Sequence, residues 1–157
     1  MNRFRIVTLN TKPETADAVS GLYLLQWPQW YGAEGPGDAR QDLAVCLESN
    51  EALPSCLVAL EGSGQVVGTG CLRETSPGSE RYPGAWLTGL VVDKAYRRCG
   101  IGSALVAAAE AEALRLGFDA LHASTSSAGS ILVRREWTRI DQVTSSGECL
   151  DVFRKSR

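Results

Sequence analysis

The sequence predicts an α+β protein built in layers. Two observations carry this expectation. Short strand-like and helix-like segments alternate along the chain in the order β-α-α-β-β-β-α-β-α-β-β. One long amphipathic helix, from Ile101 to Leu116, carries Ile101, Leu105, Ala109, Ala113 and Leu116 on one stripe, so it has a single face to bury against a sheet. A length of 157 residues suits one domain with one core, and residues 1–157 are read as such.

Phe4 to Leu9 alternates polar and apolar residues and reads as a strand. Glu14 to Gln26 reads as a helix with Ala18, Leu22 and Leu25 on one face, ending near Pro28. "WPQWYGAEGPG" reads as a loop. Asp38 is the N-cap of a second helix reaching Asn50. Cys56–Leu60 and Gln65–Leu72 form a hairpin across "EGSG". Glu74 to Gly84 is loop. Ala85 to Val92, apolar on both faces, is a central strand. Gly117 stands where a C-terminal glycine cap belongs. Ala120–Ser124 is a short strand and Ala128–Arg135 a short helix. Trp137–Thr144 and Glu148–Phe153 are closing strands joined across "SSG".

Composition narrows the function classes. A net charge of −2 argues against a nucleic-acid surface, which carries a basic excess. No apolar run approaches the ~20 residues of a membrane helix, and "MNRFRIVTLN" has no secretion-signal core, so a cytoplasmic location is expected. The five cysteines are odd in number and lack CxxC spacing, and His122 is the one histidine; neither a disulfide framework nor a metal site is expected.

The chemistry concentrates in "LTGLVVDKAYRRCGIGSALV", Leu87 to Val106. Arg97, Arg98, Gly100 and Gly102 lie between a strand and the start of the long helix. A helix N-terminus has unpaired N–H groups and partial positive charge. Glycines let a phosphate approach the backbone, and arginines add directional donors. A pyrophosphate is the natural guest. GxxxxGK[ST] is absent, and Gly100 and Gly102 are followed by Leu105 rather than by the third glycine of a dinucleotide fingerprint.

On these residues the chain resembles the GCN5-related N-acetyltransferase (GNAT) family. Arg97, Gly100 and Gly102 match its [RQ]-x-x-G-x-[GA] motif, and the element order and chain length match as well. The resemblance implies a mixed, mostly antiparallel sheet with a splayed strand pair, flanked by helices. It implies acetyl-CoA as co-substrate, no metal, and a small-molecule or peptide amine as acceptor; homodimers are common for such proteins. The pantetheine arm would lie along Leu90, Val91 and Val92. The pyrophosphate would rest on Arg97, Arg98, Cys99, Gly100, Ile101, Gly102 and Ser103. Thr125 to Ala128, with the Thr125, Ser126 and Ser127 hydroxyls, would flank the thioester. A backbone N–H near Val91 would receive the oxyanion, and Glu74 or Glu80 would serve as general base, although either also reads as a solvated loop charge. Trp27, Trp30 and Tyr31 would wall the acceptor pocket or pack in the core.

The chain departs from the family in two places. Arg98 replaces a common glycine. Where many members carry a tyrosine in a pattern like "FYRRLGW", this chain has "ILVRREW", so the tyrosine becomes Leu132 and the glycine Glu136. Three functions stay open: an N-acetyltransferase, a non-catalytic acyl-CoA sensor, and a transferase of a bulkier acyl group. His122 reads as a packed, hydrogen-bonded histidine. Cys99 reads as a small spacer or a reactive thiol, and Glu110, Glu112 and Arg115 as the solvated face of the long helix.

Overall fold

A computed structural model describes residues 3–48 and 50–156. Seven strands, β1 (Phe4–Thr8), β2 (Ser55–Glu61), β3 (Val66–Arg73), β4 (Ala85–Val92), β5 (Ala120–Thr125), β6 (Thr138–Ser145) and β7 (Glu148–Ser156), form one sheet in the order β1-β2-β3-β4-β5-β7-β6. Every neighbouring pair is antiparallel except β4–β5. That parallel pair is in register only at Ala85↔Leu121 and Trp86↔His122. The rest of β4 and β5 parts company, so the sheet opens between its two halves.

Five helices, α1 (Ala16–Gln26), α2 (Pro28–Tyr31), α3 (Ala39–Val45), α4 (Ile101–Arg115) and α5 (Gly129–Arg134), cover the sheet. On one face α4 buries Ile101, Leu105, Ala109 and Ala113 against Leu57, Val67, Leu87 and Leu121. The approach is close: a Cβ on Gly68 of β3 would come within 3.1 Å of both Ile101 and Leu105. On the other face α1 and α3 pack Val19, Leu22, Tyr23 and Leu43 against Cys56, Val58 and Cys71. Odd and even residues of β2 divide between these two clusters, as strand alternation requires.

Two helix termini follow their sequence signals. Asp38 Oδ1 accepts from the Gln41 N–H at 3.1 Å, capping α3. Gly117, at φ 92°, ends α4; its N–H donates to Leu114 O and that of Phe118 to Ala113 O, a Schellman closure. The Ser146–Gly147 turn joining β6 and β7 has positive φ at both residues, as a tight hairpin needs.

Other expectations need correction. The first helix begins at Ala16, after turns at Leu9–Thr11 and Pro13–Thr15, and its buried face is Val19, Leu22 and Tyr23. Ala18 faces out and Leu25 is 82% exposed. The run Leu22–Leu25 is apolar throughout, so periodicity alone leaves the phase of the helix open. The aromatic segment contains a one-turn helix, α2, opened by Pro28. The second helix stops at Val45 rather than Asn50; of the expected span, residue 49 lies outside the described residues.

Of the polar residues expected on a solvated face of α4, Arg115 is exposed, but Glu110 and Glu112 are not. Glu112 is 7% exposed and accepts from Ser55 Oγ at 2.5 Å and from Arg115 Nε at 2.6 Å. Glu110 accepts from Arg135 and from the Trp137 indole, at 2.8 and 2.9 Å. The Arg115 and Ser55 bonds hold the Glu112 carboxyl below the ordinary glutamate value, against the opposing effect of burial. A depressed folded value stabilises the protein above the unfolded value, ~4.3, and that contribution is lost as pH falls through the folded one. Glu112→Gln therefore costs about 1–3 kcal/mol at neutral pH. In urea melts across pH, the difference from wild type shrinks toward zero in acid.

Candidate active site

The site begins with an irregularity in β4. Thr69 pairs with Val91 and Cys71 with Thr88, so β4 has one more residue than β3 between these pairs. This is a β-bulge, and Gly89 within it has φ 60°, a left-handed conformation that favours glycine. The extra residue reverses the alternation of the strand. Ala85 and Leu87 face α4, but beyond the bulge Leu90 and Val92 face α4 and Val91 the α1 side. The bulge thus re-aims Leu90, Val91 and Val92 just where β4 has left β5.

After β4 the chain turns tightly. Asp93 Oδ1 accepts from the Ala95 N–H at 2.9 Å, and the Asp93 N–H donates to Val67 O at 2.8 Å, fixing the exit of the strand. Arg97 is extended; its Nε donates to Val92 O and its Nη2 to Gln26 Oε1, at 3.3 and 3.4 Å. Arg98 at φ 65° and Gly100 at φ 82° are both left-handed. Arg98 accepts a conformation costing roughly 1–2 kcal/mol for a residue with a Cβ, and its guanidinium stays at an exposed loop. The ladder of α4 starts with Ala104 N–H to Gly100 O, so the amides of Ile101, Gly102 and Ser103 precede it. Ile101 is buried and anchors the helix start. A Cβ on Gly102 would come within 3.1 Å of Ile131 Cδ1, bringing α5 against the first turn of α4. Cys99 is exposed, and its Sγ–H donates to Arg97 O at 3.7 Å.

Thr125 ends β5, and its Oγ1 accepts from the N–H groups of Ser127 and Ala128 at 3.1 and 2.9 Å, turning the chain into α5. Ser126 and Ser127 are exposed. Thr125 to Ala128 therefore stand across the opening from the bulge. Leu132 lies 1% exposed in the α4-side core. Glu136 adopts φ 67°, the conformation suited to the glycine it replaces.

The expected acceptor residues separate. Trp27 and Tyr31 converge on Tyr23: the Trp27 ring meets it edge-on at 5.7 Å and the Tyr31 ring lies 5.3 Å away. Tyr31 Oη donates to Asp42 Oδ2 at 2.8 Å; burial first, then this carboxylate, push the phenol well above its ordinary value. Trp30 turns back onto its own loop, where a Cβ on Gly37 would collide with the indole nitrogen. Glu74 and Glu80 are both exposed and are not brought together; Glu74 lines a shallow cavity of about 250 Å³ with Leu53, Pro54, Arg73 and Thr75.

Sequence reasoning missed three residues here. Tyr23 is 1% exposed, its hydroxyl has no hydrogen-bond partner among the described residues, and burial pushes its pKa up. Its Oη lies 2.9 Å from where a Cβ of Gly89 would be. Arg73 closes β3 beside it. Gly89 sat unremarked in an apolar strand, although an isolated strand glycine is a bulge signal. His122 is packed as expected, stacked between Tyr82 and Trp86 at 5.6 and 5.1 Å, but neither ring nitrogen has a hydrogen-bond partner among the described residues. Burial and then Arg154 lower its pKa.

The sheet thus opens between its one parallel strand pair, with a glycine-rich helix start at its mouth. The sequence profile of the Acetyltransferase (GNAT) family matches residues 19–133, and the chain belongs to that family. No curated protein sequence matches it. Solved structures with the same fold include a GCN5-related N-acetyltransferase from Kribbella flavida, at 18% identity, TM-score 0.76 and 98% coverage of both chains. An aminoglycoside 6'-N-acetyltransferase complexed with coenzyme A is 14% identical, with TM-score 0.76 over 97% of this chain and 96% of that one. The yncA protein of Salmonella typhimurium, with its cofactor acetyl-CoA, is 19% identical, with TM-score 0.75 over 98% and 93%. At such identities these are likenesses of fold.

Proposed function

We propose that the protein transfers the acetyl group of acetyl-CoA to a primary amine of a small molecule or peptide N-terminus, by direct attack in a ternary complex. The observation that carries this reading is the opening of β4 from β5 directly above the helix start. The residues fit the co-substrate. Leu90, Val91 and Val92 offer strand backbone to the pantetheine arm. Arg97, Arg98 and the amides from Cys99 to Ser103 offer donors to the pyrophosphate. Thr125 and Ser127 flank the place of the thioester. CoA-containing structures of the same fold support the assignment.

In the reaction the amine nitrogen bonds to the thioester carbon, the C–S bond breaks, and sulfur leaves with the electron pair. A backbone N–H near Val91, on the edge of β4 that faces the opening, is the proposed donor to the oxyanion. The ammonium proton goes to water, or to Glu74 or Glu80 through water, and the thiolate takes a proton from solvent or a hydroxyl of Thr125–Ser127. A thiol of pKa ~8.5 is a good leaving group, so Leu132 in place of a tyrosine does not stop the reaction. Because Leu132 is buried in the core, Leu132→Tyr costs about 1–3 kcal/mol in stability by overpacking. The same burial keeps any gain in kcat within ~10-fold, below the ~10²–10⁴ range of general-acid help.

The burial of Leu132 also favours a second reading, a non-catalytic acyl-CoA sensor. Amine-dependent thiol release from acetyl-CoA, with the acetylated amine identified by mass spectrometry, separates the two. Transfer is expected. Intact acetyl-CoA binding with no transfer to any amine leaves the sensor.

A further inference from the structure

The α1-facing side of β3 and β4 holds an arginine whose charge is not balanced by a carboxylate. Arg73 pairs with Trp86 and Cys71 with Thr88 in the β3–β4 register. Alternation places the Arg73 and Cys71 side chains on one face, and Cys71 is packed with Tyr23 beneath α1 and α3. Arg73 is half-buried. Its guanidinium has five N–H donors; Nη2 makes a long bond to Asp42 O at 3.4 Å, and the Tyr23 hydroxyl and the Cys46 and Cys71 thiols lie beside it. No described aspartate or glutamate lies within ion-pair distance of it. A desolvated charge without a partner is costly.

Beside it the Tyr23 hydroxyl is buried against the guanidinium, and it abuts the β4 bulge at Gly89. A fork of N–H donors, backed by the Tyr23 hydroxyl, thus lies next to the strand along which the thioester is proposed to lie. That is a donor set for a carboxylate. The cavity of about 250 Å³ that Arg73 lines has an acidic rim at Glu74 and an apolar wall at Leu53 and Pro54. Guanidinium and glutamate at one small cavity match the two charges of a zwitterion, and the volume lies below the ~300–1,000 Å³ of drug-sized sites.

We propose that Arg73, positioned by the Tyr23 hydroxyl, anchors a carboxylate on the acceptor, and that the acceptor is a free α-amino acid or similarly small amino-carboxylate. This rests on the transferase reading above. It makes an amine carrying a carboxylate a better acceptor than a polycationic amine or the N-terminus of a long peptide.

The alternative neutraliser of Arg73 from within the protein is a thiolate. Cys46 Sγ lies 3.7 Å from Cys71 Sγ, and hydrogen bonds from Cys56 and Cys71, with Arg73 nearby, draw its thiol toward ionisation. Absorbance at 240 nm, compared between wild type and Cys46→Ala, detects such a thiolate.

The test measures kcat/KM with acetyl-CoA for the standard L-amino acids, their α-amides, dipeptides and spermidine. An α-amide has the less basic, more readily deprotonated amine, so a preference for the acid reports recognition and not amine reactivity. Wild type is expected to favour acid over amide by at least ~10-fold, the scale of one charge-assisted hydrogen bond. Arg73→Lys, which keeps the charge but loses the fork, is expected to erase most of that ratio, and Tyr23→Phe part of it. Should either variant fail to fold, calorimetric titration of CoA-loaded wild type with acid and amide decides by the same ratio. Equal use of acids and amides, or a Cys46 thiolate at neutral pH, overturns the proposal. Transfer to amides or spermidine alone overturns it while leaving the transferase reading intact. Acetyl-CoA binding without transfer to any amine overturns both.

Discussion

Gly102→Glu abolishes acetyl-CoA binding, with a loss of at least ~100-fold in Kd, or about 2.7 kcal/mol. Two effects combine. The new carboxylate stands at the first turn of α4, where the phosphates are proposed to rest; like charges 4 Å apart repel by about 4 kcal/mol at an effective dielectric constant of 20. The new Cβ also approaches Ile131 Cδ1 to 3.1 Å, so α5 must shift by a few tenths of an ångström. Gly102→Ala has the second effect without the first. Calorimetry on both variants separates them: alanine is expected to retain most of the affinity and glutamate little. Wild-type affinity in the glutamate variant would remove the pyrophosphate from this loop.

Gly89→Val is expected to cost more than any other single change at the bulge. A β-branched residue at φ 60° pays the left-handed penalty of roughly 1–2 kcal/mol. Its Cβ would also stand 2.9 Å from the buried Tyr23 hydroxyl, and overpacking adds about 1–3 kcal/mol. The protein loses about 2–5 kcal/mol by the sum of these terms. Relief of either strain straightens the bulge and turns Leu90–Val92 away from the opening, so kcat should fall more steeply than folded fraction. Adding Tyr23→Phe removes the hydroxyl and restores part of the stability but not the turnover. Urea melts and steady-state rates on the single and double variants test this. A stable Gly89→Val protein with normal kcat would show that the bulge does not aim the strand.

What the sequence reveals here follows from whether a signal is local. The helix α4 was legible because Ile101, Leu105, Ala109 and Ala113 repeat at helical spacing between a glycine loop and Gly117. The arginine-glycine loop was legible for the same reason, since donors, glycines and helix start lie within a few consecutive residues. Arg98 could be flagged as standing in a glycine position, and its φ of 65° follows. The face of α1 was not legible, because a continuous apolar run hides its phase. Glu112 looked solvated because Ser55, which buries it, lies 57 positions away. The convergence of Tyr23, Arg73 and Gly89 is unreadable locally, since three elements deliver one residue each.

The central claim is that one continuous surface, running from the bulge across the opening to the start of α4, receives acetyl-CoA. Hydrogen–deuterium exchange with and without acetyl-CoA tests it most directly. Protection is expected together at Leu90–Val92, at the amides from Arg97 to Ser103, and at Thr125–Ala128, with the β6–β7 hairpin unchanged. Binding that leaves the Arg97–Ser103 amides exchanging at their free rates, or that protects a different face of the sheet, would contradict the account.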